Sequence, residues 1–140
     1  MPLPELPRGP RGRELSEARR FVVAEHSLPD GSLHYDLMLE AGEVLVTLQL
    51  EQAPGPDEVR GTRSFDHRLR YLDYEGPISG DRGSVRIWAR GSARDLQGTP
   101  RSEAFRAEFK PEPPAPLSGC FGWEAGPEGL SFGPRPEPEA

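Results

Sequence analysis

The stretch LHYDLMLEAGEVLVTLQL, residues 33–50, decides the fold class of this chain. Its first half alternates between two sets of side chains, Leu33, Tyr35, Leu37 and Leu39 on one side and His34, Asp36, Met38 and Glu40 on the other. This two-residue period is that of a β-strand with two different faces. Residues 41–43 are typical of a turn, and residues 44–50 alternate again. The stretch therefore predicts an antiparallel β-hairpin.

Working outward from the hairpin, short apolar and β-branched runs separated by turn residues predict further strands at Phe21–Val23, Leu69–Tyr74, Ser84–Arg90, Ala104–Phe109, Leu117–Glu124 and Leu130–Phe132. Seven or eight short strands with little helix indicate an all-β barrel or sandwich. We favour a small β-barrel, closed or partly open, because closure removes the exposed edges of a small sheet.

The proline and glycine content of the chain excludes a long helical bundle and locates the ends of the domain. Of 140 residues, 17 are Pro and 16 are Gly, and most of the prolines lie in the first 10 residues or after residue 110. We predict a flexible N-terminal arm at 1–18, one folded domain at 19–133 and a disordered tail at 134–140.

Several classes of protein are disfavoured by composition. A single cysteine, Cys120, permits neither an intrachain disulfide nor a cysteine-based zinc cluster. No apolar run has the length of a membrane span, and the N-terminus lacks the apolar core of a secretory signal. We therefore expect a monomeric cytoplasmic protein with no membrane partner.

Charge is distributed unevenly along the chain. The net charge is −6, but residues 60–94 hold eight arginines against four acidic residues, a local charge of +4. Such a segment can steer a phosphate-bearing partner to the surface. The alternative is an arginine-rich sheet face that only keeps the protein soluble.

One histidine and one aspartate on the predicted strand 33–40 form the most informative pair. His34 and Asp36 project from the same strand face with their Cβ atoms roughly 6–7 Å apart. His26 precedes a turn and could supply a third ligand. Two imidazoles and one carboxylate suit Zn, Mn or Fe, with open positions left for water or substrate. An exposed polar face of a half-buried strand would produce the same pattern.

Three segments taken together resemble a known family: FVVAEH at 21–26, LHYDLMLEAGEVL at 33–45 and DHRLRYLDYEGPISGDRGSVRIWARG at 66–91. They are similar to the 3′-phosphoesterase domain of bacterial DNA ligase D, especially to its short free-standing relatives. The resemblance implies a barrel-like domain that trims 3′-phosphate or 3′-ribonucleotide ends of DNA, using manganese, before end joining. It also implies DNA or DNA/RNA 3′ ends as partners, together with an end-joining ligase or other repair proteins.

The resemblance assigns roles residue by residue. It implies that His26, His34 and Asp36 are the metal ligands, with Mn²⁺ as the expected cofactor and Zn²⁺ or another divalent cation as alternatives. It places His67 and Tyr71 beside the scissile phosphate as catalytic residues, where His67 would stabilise charge or transfer a proton. Because they are four residues apart on a predicted strand, these two side chains are expected on the same face.

One departure from the family pattern bears on activity. The family has an arginine two residues after the metal-binding aspartate, and this chain has Met38 there. A thioether cannot replace a guanidinium in binding phosphate, because it lacks the charge and the N–H donors. Another cation could take its place, and the candidates in this chain are Arg63, Arg68, Arg82 and Arg86. The alternative function is a catalytically weakened or inactive barrel module that binds DNA ends or a repair partner.

Overall fold

The structure, a computed structural model, describes residues 18–138. These residues form ten strands and one short 3-10 helix. The strands are β1 (Ala18–Ser27), β2 (Leu33–Ala41), β3 (Val44–Leu50), β4 (Val59–Arg63), β5 (His67–Arg68), β6 (Gly76–Pro77), β7 (Ser84–Gln97), β8 (Ala104–Pro111), β9 (Gly119–Gly126) and β10 (Gly129–Pro134), and the 3-10 helix is Leu69–Leu72.

Eight of these strands close into an antiparallel barrel in the order β1-β2-β3-β4-β10-β9-β8-β7, and β1 also pairs with β7 to complete the circle. The two-residue strands β5 and β6 lie outside this circle and pair with β3 and β7. The predicted all-β barrel is confirmed in its closed form. No helix in the described part of the chain has the length and apolar character needed to cross a membrane.

The hairpin of β2 and β3 follows the predicted alternation. Leu37 pairs with Leu48 and Leu39 with Val46 across the turn. Leu37, Leu39 and Leu48 are completely buried in the barrel interior. Met38, between them in sequence, is also buried, but in a second cluster on the opposite face of the sheet. Both faces of this hairpin are therefore covered, one by the barrel interior and one by the chain outside it.

The interior of the barrel is filled mainly by aromatic side chains. Phe21 meets Phe109 edge to face at 5.1 Å between ring centroids, and Phe105 lies 4.7 Å from Trp123. Trp123 is completely buried, and its indole N–H donates to the Ser102 carbonyl at 3.0 Å. Large rings fill much of the interior of a small barrel, and a buried polar atom such as the indole N–H needs such a partner.

The second cluster lies on the outer face of β1, β2, β3 and β7. It consists of Val22, Ala24, Met38, Leu45, Leu72 and Val85, with the rings of Tyr71 and Tyr74 packed against it. The segment 64–83, which carries β5, the 3-10 helix and β6, is thereby fixed against the barrel wall. Polar side chains of the wall, among them His34 and Asp36, face this covering segment.

The predicted strand Leu69–Tyr74 is wrong, because Leu69–Leu72 is a 3-10 helix. The barrel already closes through the pairing of β1 with β7, so the segment finds no long strand edge to join. It instead places Leu72 in the outer cluster. The sequence does not predict strand β4, because VRGTR contains only one large apolar residue, Val59, and therefore shows no apolar alternation.

The ordered contacts extend slightly beyond both expected domain boundaries. Ala18 already pairs with Arg94 in the sheet, while residues 1–17 of the predicted arm lie outside the described residues. At the other end, the Arg135 amide donates to the Cys120 carbonyl, and Arg106 donates to the Pro136 carbonyl. The described barrel contacts thus continue through residue 136, within the predicted tail, whose last two residues are likewise outside the described residues.

Candidate metal centre

Two adjacent strands bring the three predicted metal ligands together. His26 of β1 is the direct cross-strand partner of His34 of β2, and Asp36 lies two residues further along the same face. His26 Nδ1 is 3.1 Å from His34 Nε2 and 3.7 Å from an Asp36 carboxylate oxygen, and His34 Nε2 is 3.3 Å from the other oxygen. All three donor atoms lie within 4.8 Å of one another.

These separations fit a divalent cation. Ligands about 2.1 Å from a common metal, at tetrahedral or octahedral angles, are about 3.0–3.4 Å apart. The side chains of the three residues are only 9–16% exposed, so the donors are held by their surroundings. Two imidazole nitrogens and a carboxylate that converge in this way are electron-rich groups directed at one point. The geometry therefore matches a mixed nitrogen and oxygen site for Mn, Zn or Fe.

A backbone carbonyl fixes the tautomer of His26. Its Nε2 lies 2.8 Å from the Arg82 carbonyl oxygen, which can only accept, so Nε2 carries the proton. In the neutral ring Nδ1 then carries no proton. Its lone pair is directed toward the ligand atoms of His34 and Asp36. Carbonyl partners of this kind orient metal-binding histidines and increase their basicity.

A glycine permits the approach of this carbonyl. Gly83 follows Arg82, has a φ of +89°, and lies against the end of β1, where a Cβ atom would overlap the Ser27 carbonyl oxygen. Any other residue would be strained and would push the 79–83 turn away from His26. The turn at 79–83 therefore places a carbonyl oxygen beside one of the three candidate ligands.

The two predicted catalytic residues lie beside each other, although they do not share one strand. The His67 ring in β5 is 5.7 Å from the Tyr71 ring in the 3-10 helix, in an edge-to-face arrangement. The predicted proximity is therefore observed, but the two-residue strand period that predicted it is not.

His67 is also held in one tautomer. Its Nδ1 lies 2.9 Å from Thr47 Oγ1 and 3.1 Å from the Phe65 carbonyl, so Nδ1 carries the proton. The Thr47 hydroxyl donates in turn to the Leu45 carbonyl at 3.1 Å. In the neutral ring Nε2 keeps its lone pair and has no hydrogen-bond partner among residues 18–138. His67 is therefore arranged as a proton acceptor.

His26, His34 and Asp36, here called the His/Asp cluster, face the same cavity as the His67–Tyr71 pair, and its volume is about 830 Å³. It lies between the barrel wall and the segment 64–83. Other charged and polar side chains of its lining include Gln49, Asp66, Arg68, Arg70, Asp81 and Arg82, and Met38 and Phe65 contribute apolar surface.

The charges that line this cavity are close to balanced. The lining contains three arginines and three carboxylates, of which Asp36 belongs to the His/Asp cluster. Asp66 pairs with Arg101 at 2.7 Å, and the hydrogen bond from that guanidinium lowers the pKa of the Asp66 carboxyl. A divalent cation in the cluster would make the cavity clearly positive. Binding of an anion there is therefore expected to depend on the metal.

The four candidate phosphate-binding arginines divide into two pairs. Arg68 and Arg82 line the cavity, although the Arg82 guanidinium donates to the carbonyl and hydroxyl of Ser79. Arg63 lies elsewhere, donating to the Pro100 and Ser102 carbonyls over the ring of Trp123. Arg86 is outside the cavity and is paired with Glu25 at 2.7 Å. Arg63 and Arg86 therefore lie outside the cavity that holds His26, His34 and Asp36.

Met38 is 2% exposed and belongs to the outer apolar cluster. Its neighbours in that cluster include Leu45 and Leu72, and Met38 also contributes to the cavity lining. No guanidinium is therefore present at this position of β2.

Sequence reasoning missed three residues of the site. Arg70 lines the cavity with its guanidinium 5.5 Å from the Tyr71 ring centroid and 4.9 Å from that of Tyr74, and it makes no ion pair within residues 18–138. Thr47 is completely buried and orients His67. Phe65 is exposed at the cavity rim. For Thr47, a polar residue on the Met38 face of the hairpin was a usable signal.

Comparison of the chain with protein-family models gives no match, and comparison with curated proteins gives none either.

Proposed function

We propose that the protein is a divalent-metal-dependent phosphoesterase that removes 3′-phosphate or 3′-ribonucleotide groups from DNA ends, with Mn²⁺ as its preferred cation. The convergence of His26, His34 and Asp36 in one cavity with His67 and Tyr71 carries this proposal. The motif resemblance supplies the reaction class, and the cavity geometry is consistent with it.

The roles of the residues follow from their positions. A bound cation would act as a Lewis acid on a phosphate oxygen and orient the ester. His67 Nε2 would accept a proton from the attacking water or ribose hydroxyl. The Tyr71 hydroxyl would donate a hydrogen bond to a phosphate oxygen. Thr47 keeps the His67 lone pair directed away from the barrel wall.

Arg70 is the best replacement for the missing family arginine. Among the cavity arginines, Arg82 is already bonded to its own turn, whereas Arg70 rests on two tyrosine rings and has no acidic partner in the described chain. Stacking on aromatic faces holds a guanidinium in place while leaving its N–H groups free to donate. Arg68 lines the cavity as well and would add a second positive charge.

The proposal is tested with a DNA duplex whose primer strand ends in a 3′-phosphate or a 3′-ribonucleotide. With Mn²⁺, we expect conversion to a 3′-hydroxyl, and we expect chelation, His34→Ala or Asp36→Ala to abolish it. Arg70→Gln should raise KM, whereas the matched charge removal Arg86→Gln, outside the cavity, should leave it unchanged. Metal-loaded protein that converts neither primer would refute the proposal.

A binding module that recognises DNA ends without cleaving them is the second candidate. The buried Met38 favours it, because no guanidinium reaches the cavity from that strand position. Single-turnover measurements with excess protein separate the two functions. Saturable binding of the 3′-phosphate duplex without product, at any Mn²⁺ concentration, would favour the binding module, and product formation would favour the enzyme.

A further inference from the structure

Phe65 is unusually exposed for its size. It is 72% exposed, and only one other large hydrophobic residue of the described chain, Leu33, is classed as exposed. Phe65 lies in the connection between β4 and β5, at the rim of the cavity that holds the His/Asp cluster. A phenyl ring exposed at the mouth of a cavity is available to contact a ligand that enters the cavity.

The ring is held in place on one face only. It stacks on the His67 imidazole with 4.9 Å between centroids and an interplanar angle of 10°. Its backbone is fixed on both sides, since the Ser64 amide donates to the Thr47 carbonyl and the Phe65 carbonyl accepts from His67. The remaining face is the exposed one. Phe65 therefore presents a rigid, flat and open surface beside the proposed proton acceptor.

Positive charge accompanies this surface. Arg68 and Arg70 follow Phe65 in the same cavity lining, and the metal ligands face the same space. Aromatic side chains for stacking, combined with cations for the backbone, are what proteins use to hold single-stranded nucleic acid. A simple phosphate would use the cations alone and would leave the ring uncovered.

We propose that Phe65 is a stacking platform for the terminal base of a nucleic-acid 3′ end, so that the site selects nucleotide-terminated phosphoesters over simple phosphates. This inference rests on the proposed function, because it names the part of the same substrate that lies next to the scissile phosphate. Every base has a flat π face, so the platform tolerates all four bases and selects for the presence of a base.

The experiment uses the full chain loaded with Mn²⁺ and single strands carrying 2-aminopurine at the 3′-phosphorylated terminus. Stacking quenches 2-aminopurine, so fluorescence reports on binding without requiring cleavage. We expect Phe65→Ala to weaken binding by roughly 5- to 150-fold, the range for one stacked base, and to abolish the quenching. Phe65→Trp should preserve both. Leu33→Ala, which removes the other exposed hydrophobic, is the matched control and should change neither.

Inorganic phosphate and free 2-aminopurine riboside 3′-monophosphate complete the test. Phosphate affinity, measured by competition, should be equal in wild type and Phe65→Ala. Phe65→Ala should weaken binding of the free nucleotide by about the same factor as binding of the strand. Equal losses for phosphate and strand would overturn the platform, since Phe65 would then act only by holding His67. Unchanged strand binding in Phe65→Ala would overturn it as well. Quenching by wild type without cleavage of any primer would retain the platform and refute the phosphoesterase.

Discussion

Asp36 is expected to couple metal binding to thermal stability. Its carboxylate oxygens are 3.3 Å and 3.7 Å from the two histidine nitrogens, and its side chain is 9% exposed, so the folded barrel holds together three candidate ligands that an unfolded chain does not. A cation at 100 times its dissociation constant then stabilises the folded state by about 2.7 kcal/mol. For a domain of this size that corresponds to a rise in Tm of about 10 °C.

The variant Asp36→Asn replaces one carboxylate oxygen by an amide nitrogen of the same shape. Loss of even an outer partner of a metal ligand can lower affinity 100-fold, and loss of a direct ligand should cost at least as much. The same cation concentration would then equal the dissociation constant and contribute about 0.4 kcal/mol (RT ln 2), or about 1–2 °C. Comparing each protein with and without Mn²⁺ removes any effect of the substitution on the metal-free fold.

Differential scanning calorimetry on wild type, Asp36→Asn and Asp81→Asn provides the measurement. Asp81 lines the same cavity but is outside the ligand cluster, and asparagine tolerates its φ of 57°. Asp81→Asn thus removes the same charge from the same cavity and should keep the full Mn²⁺-dependent shift. A full shift in Asp36→Asn, or an equal loss in Asp81→Asn, would refute the assignment of the ligands.

Three further predictions follow from contacts away from the metal. Thr47→Val removes one of the two acceptors of the His67 N–H. It should lower kcat roughly 2- to 12-fold, the factor that corresponds to the net free energy of one hydrogen bond, at unchanged KM and Mn²⁺ affinity. An unchanged kcat would exclude a positioning role for Thr47. The hydrogen bond from its arginine partner lowers the pKa of Glu58 below the ordinary 4.5, so its carboxylate stabilises the fold above that pH and loses this effect as the pH falls through the folded-state pKa. Glu58→Gln should therefore be less stable than wild type at neutral pH, by under about 1 kcal/mol because the side chain is 48% exposed, and the difference in urea unfolding should vanish in acid. Leu37→Ala should cost about 2–5 kcal/mol in the same assay, and Leu33→Ala, at a 48% exposed position, well under 1 kcal/mol.

The part of the site that could be predicted from the sequence is the part built by local periodicity. A strand repeats every two residues, so His34 and Asp36 had to share a face once the strand was recognised. The turn at 28–32 then returns the chain so that His26 stands opposite His34. The barrel interior followed from the same rule, because Leu37 and Leu39 point away from these ligands.

The parts of the site and fold that could not be predicted depend on pairings between segments far apart in the chain. No local sequence pattern indicates that Arg63 donates to the carbonyls near Trp123, or that Arg86 forms an ion pair with Glu25. Likewise, Leu69–Leu72 has the composition of a strand, but the free edges it could join are short. A sequence pattern specifies which residues can pair, and the order of strands around the barrel decides which of them do.

The two sides of the cavity come from segments that lie far apart in the chain. The three proposed metal ligands belong to one hairpin, residues 26–36, whereas His67 lies on β5, which pairs with β3, and the Arg82 carbonyl is 56 residues from His26. Short loops lose little entropy on closing and form early, while distant segments meet late. We expect a cation to accelerate the formation of the hairpin in stopped-flow refolding and the side of the cavity that holds His67 and Arg70 to form later, so that a partly folded chain could hold a cation before the cavity is complete.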